Sequence, residues 1–165
     1  MVDVGHQAPD FSLADTSGRR VVLSELRRRG PVVLVFYRGH WCPFCRRHLK
    51  RLQEHLGEIR SRGAAVVAVS SDERVLARRL SDELGLEYPV LSDLDGAVMD
   101  AYGVRNRLLG IAGGIPHPSV FIIDVKGIVR FREVRRNYRR RTAPARLVRV
   151  LDEVMTRCEG ELPLQ

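Results

Sequence analysis

Cysteine is scarce in this chain: Cys42, Cys45 and Cys158 are the only three among 165 residues. A secreted scaffold held by disulfides would carry more of them around a smaller core, so stability is expected to come from hydrophobic burial. Long apolar runs are missing too. The longest, residues 31–37, is far too short to cross a bilayer, and residues 1–9 contain no apolar core of a signal peptide. A soluble, cytoplasmic protein with no membrane partner is therefore expected. Lysine is nearly absent, with Lys50 and Lys126 the only two of 28 basic residues. The formal charge of +8 rides on arginine instead, a usage that the coding bias of a GC-rich genome produces without selection for phosphate contact. Arg135, Arg136, Arg139, Arg140 and Arg141 form a dense local cluster that can attract an acidic partner. Tyr138 is the one aromatic inside it, which is thin support for nucleobase stacking. Nucleic acid is accordingly not the favoured partner. Neither a glycine-rich phosphate loop nor an H-E-x-x-H pattern is present.

What the chain does have is enough length and apolar content, 44%, for a single domain over residues 1–165 with a real core. Residues 11–14 and 19–22 read as two short strands joined by a turn at Asp15–Gly18. Ser24 is placed to cap a short helix that Gly30 closes. Residues 32–37 form a continuous, β-branched run, expected as a strand buried on both faces. A helix from Pro43 sets Leu49, Leu52, Leu56 and Ile59 on one stripe and ends near Gly63. Residues 64–70 read as a second buried strand, and Asp72 as the cap of a helix ended by Gly85. A short strand at Val90-Leu91 and a helix over 94–102 follow. Gly110, Gly113, Gly114, Pro116 and Pro118 mark 108–118 as a loop. Residues 120–123 and 128–134 then pair as a hairpin, and a last helix starts near Ala145. Asp93, Asp95 and Asp124 read as turn and cap residues. Parallel crossovers followed by an antiparallel hairpin imply a mixed sheet with helices on both faces, a three-layer α/β/α sandwich with an N-terminal hairpin.

The chemistry concentrates in Trp41-Cys42-Pro43-Phe44-Cys45, where a buried strand gives way to a helix. A free thiol has a pKa near 8.5, and a helix N-terminus lowers it. Pro43 suits the first helical position, which would put Cys42 at the cap with amide hydrogens directed toward it. Cys45 lies about one turn on, close enough to attack a mixed disulfide on Cys42 or to act first itself. Trp41 and Phe44 can shield the pair, and Arg38 or His40 can help hold a thiolate. Zinc is the other use of C-x-x-C, with His40, Cys42, Cys45 and His48 as nominal ligands. Four ligands on one strand exit and one helix start do not readily surround an ion, so no metal is expected.

The chain resembles the peroxiredoxin-like (AhpC/TSA, redoxin) branch of the thioredoxin superfamily. The likeness runs through residues 4–13, 32–45, Pro89-Val-Leu-Ser-Asp93, Asp95-Gly96, Ala101-Tyr-Gly-Val104, 118–124 and Gly127-Ile-Val-Arg130. It implies a thioredoxin-like fold, no bound organic cofactor and, often, a homodimer. The family pattern of proline, threonine and peroxidatic cysteine falls on Arg38, Cys42 and Cys45, and its later arginine falls on Pro118. Only the cysteine is kept. Cys42 in place of threonine restores a thioredoxin-type dithiol, and Pro118 stands where thioredoxin-like proteins carry a cis-proline.

Two mechanisms follow from the resemblance. In one, Cys45 attacks a hydroperoxide and Cys42 condenses with the resulting sulfenic acid. In the other, Cys42 attacks a protein disulfide and Cys45 resolves the mixed disulfide. A thioredoxin-like protein or a low-molecular-weight thiol would then reduce the pair. Loss of the family's threonine and arginine weakens the peroxide case unless Arg38, His40 or Arg105 substitutes. An antioxidant oxidoreductase is nonetheless favoured over a general exchanger. A different class, a non-catalytic module that binds through the 135–141 cluster, is the remaining alternative. Cys158 is expected to be a bystander.

Overall fold

The computed structural model describes residues 1–107 and 114–160, with side chains through 157. Its frame is a seven-stranded mixed sheet in the order β2-β1-β5-β4-β3-β8-β9. Strand β3 (Val32–Phe36) is an interior strand next to the middle one, with every residue buried, as a continuous β-branched run requires. It pairs in parallel with β4 (Ala65–Ser70), Val32 opposite Ala65, and antiparallel with β8 (Ser119–Ile123), Val32 opposite Ile123. Strand β5 (Val90–Ser92) joins β4 in parallel, and β9 (Val129–Val134) returns from β8. The N-terminal hairpin of β1 (Ser12–Ala14) and β2 (Arg20–Val22) adds the opposite edge.

Alternate residues of β3 point to opposite sides and feed two cores. Val33 and Val35 pack with Leu49 and Leu52 of α2 (Pro43–Glu54), Leu56 and Ile59 of α3 (Leu56–Ser61), Leu80 of α4 (Arg74–Leu84), and Leu147 and Leu151 of α6 (Pro144–Gly160). Val32, Leu34 and Phe36 pack with Met99 and Tyr102 of α5 (Ala97–Tyr102) and with Leu23 of α1 (Leu23–Leu26). Three layers follow. Leu52 has no exposed surface, so Leu52→Ala should cost about 2–5 kcal/mol.

Several local expectations are corrected. Ser24 does not cap α1; its N–H donates to the Asp10 carboxylate at 2.9 Å, so a residue fourteen positions earlier does the work. The expected single helix from Pro43 breaks at His55 into α2 and α3, while the apolar stripe continues across the break. The helix over 94–102 begins only at Ala97. Asp93 accepts the N–H groups of Val98 and Met99 at 3.3 and 2.9 Å, and Gly96 takes the left-handed turn that starts it. Part of the expected 108–118 loop lies outside the described residues. Its end is a short strand, β7 (Ile115–Pro116), paired with β6 (Arg105–Asn106). Cys158 lies on the backbone of α6, and its side chain is outside the described residues. Among the described residues no helix is long and apolar enough to cross a membrane.

Candidate active site

Strand β3 ends beside the dithiol because the chain must leave the sheet there. Tyr37 makes the last bond to β4, its N–H donating to the Val69 carbonyl at 3.0 Å. Gly39 then passes so close to the Trp41 indole that a Cβ would collide with it. The turn closes when Cys42 N–H donates to the Gly39 carbonyl at 3.2 Å. Cys42, in extended backbone, is the N-cap of α2, and Pro43 occupies the first turn as expected. The cap is a sulfur: Cys45 N–H donates to Cys42 Sγ at 3.4 Å. Arg38 N–H donates to Cys45 Sγ at 3.3 Å.

The second half of the site comes from the far end of the chain. Arg141 Nη2 donates to Cys45 Sγ at 2.9 Å and lies 3.6 Å from Cys42 Sγ. Its Nη1 is engaged by the carbonyls of Tyr138 and, at 2.8 Å, Arg140, which aims the other nitrogen at the sulfurs. The backbone that carries Arg141 is anchored to α2. The next residue's carbonyl, Thr142 O, accepts from His48 Nε2 at 2.8 Å. Thr142 Oγ1 donates to Glu133 at 3.0 Å, and Glu133 also pairs with Arg135 and with Arg146.

The electrostatics follow from this packing. Cys42 is pushed down to about 5, chiefly because the Cys45 thiol donates to it, with Cys45 N–H, Arg141 and Arg38 adding to the effect against burial. Cys45 is driven up, because it supplies that hydrogen bond and is buried. The two sulfurs are therefore a coupled pair, and the hydrogen bond from the Cys45 thiol favours the negative charge on Cys42. Burial, reinforced by the charges of Arg141 and Arg51, lowers His48 to about 4, so a neutral ring donates to Thr142.

An aromatic cover lies over the pair. The Arg38 guanidinium sits between Trp41 and Tyr138, 5.0 and 4.9 Å from their ring centroids, and Phe44 meets Tyr138 edge-on at 5.9 Å. Both cysteines are only 1% exposed, whereas Trp41 is 48% and Tyr138 42% exposed.

Of the residues singled out in the sequence, Cys42, Cys45, Arg38, Trp41, Pro43 and Phe44 thus meet at one place. His40 faces away from that role: its N–H and its Nδ1 engage the Asp72 carboxylate at 2.7 and 3.1 Å. Asp72 consequently fixes the strand-exit loop rather than capping α4, whose N-cap is Glu73. Arg105 is held by Asp100 at 2.9 Å and does not substitute at the sulfurs. The expectation of a cis-proline at Pro118 is also corrected. All described peptide bonds are trans, and the segment is held extended by Arg135 N–H on the Pro118 carbonyl and His117 N–H on the Val104 carbonyl, both 2.8 Å. Arg141, Tyr138, His48 and Asp72 carry site roles that the sequence did not reveal. Nothing in residue type separates Arg141 from its arginine neighbours. Among the described residues, no three His, Cys, Asp or Glu side chains are grouped to hold a metal ion.

A three-layer sandwich on a mixed sheet, with a dithiol where the central strand passes into a helix, defines a thioredoxin-like thiol oxidoreductase. More narrowly, the chain belongs to the AhpC/TSA family, whose profile matches residues 4–132. Alkyl hydroperoxide reductase E of Mycobacterium tuberculosis (strain H37Rv) is 35% identical over 137 residues, covering 82% of this chain and 87% of that protein. Thiol-disulfide oxidoreductase ResA of Bacillus subtilis (strain 168) is 33% identical over 129 residues, covering 78% and 65%. Among solved structures, peroxidoxin BcpB from M. tuberculosis matches with a TM-score of 0.82 at 26% identity, covering 94% of this chain and 98% of that one. Enterococcus faecalis AhpC matches with a TM-score of 0.85 over 100% and 99% of the chains. At 22% identity it speaks for the fold alone.

Proposed function

We propose that the protein is a single-domain hydroperoxide reductase in which Cys42 and Cys45 form the redox pair and Cys42 acts first. The observation that carries this reading is the Arg141 guanidinium in contact with both sulfurs. The family resemblance leads one to expect an arginine at position 118, which is proline here, and Arg141 supplies the same chemical group from another part of the chain. The Cys42 thiolate attacks the distal peroxide oxygen, the O–O bond breaks, and the alkoxide leaves and takes up a proton. Arg141 is placed to stabilise the negative charge that develops on the oxygens. The Cys42 sulfenic acid then condenses with the Cys45 thiol, forming the S–S bond and releasing water. Two equivalents of an external thiol, or one dithiol protein, restore the reduced pair and leave as the disulfide.

Assigning the first attack to Cys42 departs from the position of the family's peroxidatic cysteine, which falls on Cys45. The ground for it is the hydrogen bonding: Cys42 Sγ, at the helix cap, accepts from both the Cys45 thiol and the Cys45 N–H, which favours the thiolate on Cys42. The same thiolate and the likeness to ResA support a second reading, thiol–disulfide exchange initiated by Cys42. Rapid-mixing kinetics with hydrogen peroxide, an organic hydroperoxide and a protein disulfide separate the two. The peroxidase reading expects sulfenic acid trapped on Cys42 in Cys45→Ser. Sulfenic acid forming instead on Cys45 in Cys42→Ser would reverse the order. Turnover of disulfide without peroxide would leave exchange as the function.

A further inference from the structure

A cleft of about 170 Å³ opens beside the dithiol, lined by Phe44, Arg47, His48, Arg51, Arg139 and Arg141. It presents four guanidinium groups, and among the described residues none of the four has a carboxylate partner. Other arginines of the chain do have one. Arg46 is paired with Glu83, Arg62 with Asp152, Arg105 with Asp100, and Arg135 and Arg146 with Glu133. The hydrogen bonds of Arg139 and Arg141 go to neutral oxygens and to the sulfurs. The cleft wall also shows that these charges converge. His48 is buried there, and Arg141 and Arg51 both oppose its protonation. A neutral histidine and four unpaired cations favour an anion that brings the missing negative charge. Phe44 adds an apolar wall, and Arg141 spans the gap, touching the sulfurs on one side and the cleft on the other.

We propose that this cleft is a carboxylate subsite that holds the anionic end of the small molecule whose other end meets the dithiol. Planar guanidinium forks suit a carboxylate, and the small volume admits the group with a short stem rather than a folded chain. The molecule is either a carboxylated hydroperoxide or a carboxylate-bearing low-molecular-weight thiol that reduces the pair. The subsite rests on the reading of Cys42 and Cys45 as a redox pair, but not on which substrate oxidises them.

The experiment compares each acid with its own ester on the full-length protein. One arm measures kcat/KM for a short carboxylated alkyl hydroperoxide and its methyl ester. The other oxidises the pair with diamide and measures its reduction by glutathione and by glutathione diethyl ester. At least one arm should favour the acid about tenfold, with the preference shrinking as salt is raised. In an Arg47→Gln/Arg51→Gln variant that preference should fall to within about twofold of unity, as expected when charge-assisted pairs are lost. Arg28→Gln removes one charge outside the cleft and should keep it. Preference for the acid in the first arm assigns the subsite to the hydroperoxide, and in the second to the thiol. Equal rates for acid and ester in both arms would overturn the proposal, as would a preference that survives in the double variant or falls equally in Arg28→Gln. Failure of both the acid and the ester hydroperoxide to react, with the second arm intact, would instead count against the peroxidase reading. Circular dichroism of each variant checks that it is folded.

Discussion

Residues 38–45 and residues 135–142 meet at the same two sulfurs, but only the first stretch is held there by its own local backbone. The strand exit, the Gly39 turn, the Cys42 cap and Pro43 are consecutive, and each step constrains the next. The second stretch has no regular structure of its own. It reaches the dithiol because Glu133 and His48, on β9 and α2, anchor Thr142. Local backbone geometry therefore decides where the thiols sit and supplies the chief cause of the low Cys42 pKa, and long-range packing adjusts it through Arg141. Removing a residue from the first stretch should abolish chemistry. Removing one from the second should retune it.

Four changes test that division. Cys42→Ser should lower hydroperoxide turnover by at least about a thousandfold, as loss of a nucleophile does, with the helix still formed by circular dichroism. Near-normal turnover would mean that the cap sulfur is not the reacting group. Arg141→Gln should cost about a hundredfold in kcat/KM at pH 6, the scale of one lost oxyanion donor. The sign of its pH effect is fixed: Arg141 lowers Cys42, so its removal must move the thiolate titration upward from about 5 and let rate recover as pH rises. Thiolate absorbance near 240 nm measured against pH reads this directly, and an unmoved midpoint would break the assignment.

His48→Asn tests the anchor. The folded pKa of His48 is lowered from 6.5 to about 4, so between those values the unfolded chain binds a proton that the native one does not. Stability should therefore fall as pH drops from 6.5 to 4, by about 3 kcal/mol from this group alone. Denaturant midpoints of the variant should lack that component, and parallel pH curves for the two proteins would contradict the buried neutral ring. The smallest effect is expected from Tyr138→Ala, which strips one face of the Arg38 sandwich. It should cost about 1 kcal/mol of stability. Alkylation of the thiols by iodoacetamide should become several-fold faster, on the order of what local opening permits. Unchanged alkylation would show that Tyr138 does not limit access to sulfurs that are 1% exposed.

Much of the frame was legible in the chain. The buried run at 32–36, the amphipathic helix after Pro43, the hairpins and the final helix all appear close to their expected limits, because strand and helix periodicities are local signals. Capping was read less well. Ser24 and Asp72 have the right residue type in the right place, yet Asp10 serves the first helix, and Asp72 is drawn to His40. A cap is a competition among nearby oxygens, and the winner depends on which chain segment packs alongside. The proline at 118 misled for a similar reason: its segment is placed by the partners that His117 finds in Val104 and that Pro118 finds in Arg135.

The sequence by itself determined that a dithiol would stand at the start of a helix behind a buried strand, since Cys42-Pro43-Phe44-Cys45 needs only its neighbours to form. It also determined the two-sided core, through an unbroken β-branched strand. Only the tertiary structure decided which of the arginines in the 135–141 cluster would touch the sulfurs. A guanidinium acts over a few ångströms of space, and the separation of 96 positions from Cys45 to Arg141 is closed by packing, not by pattern.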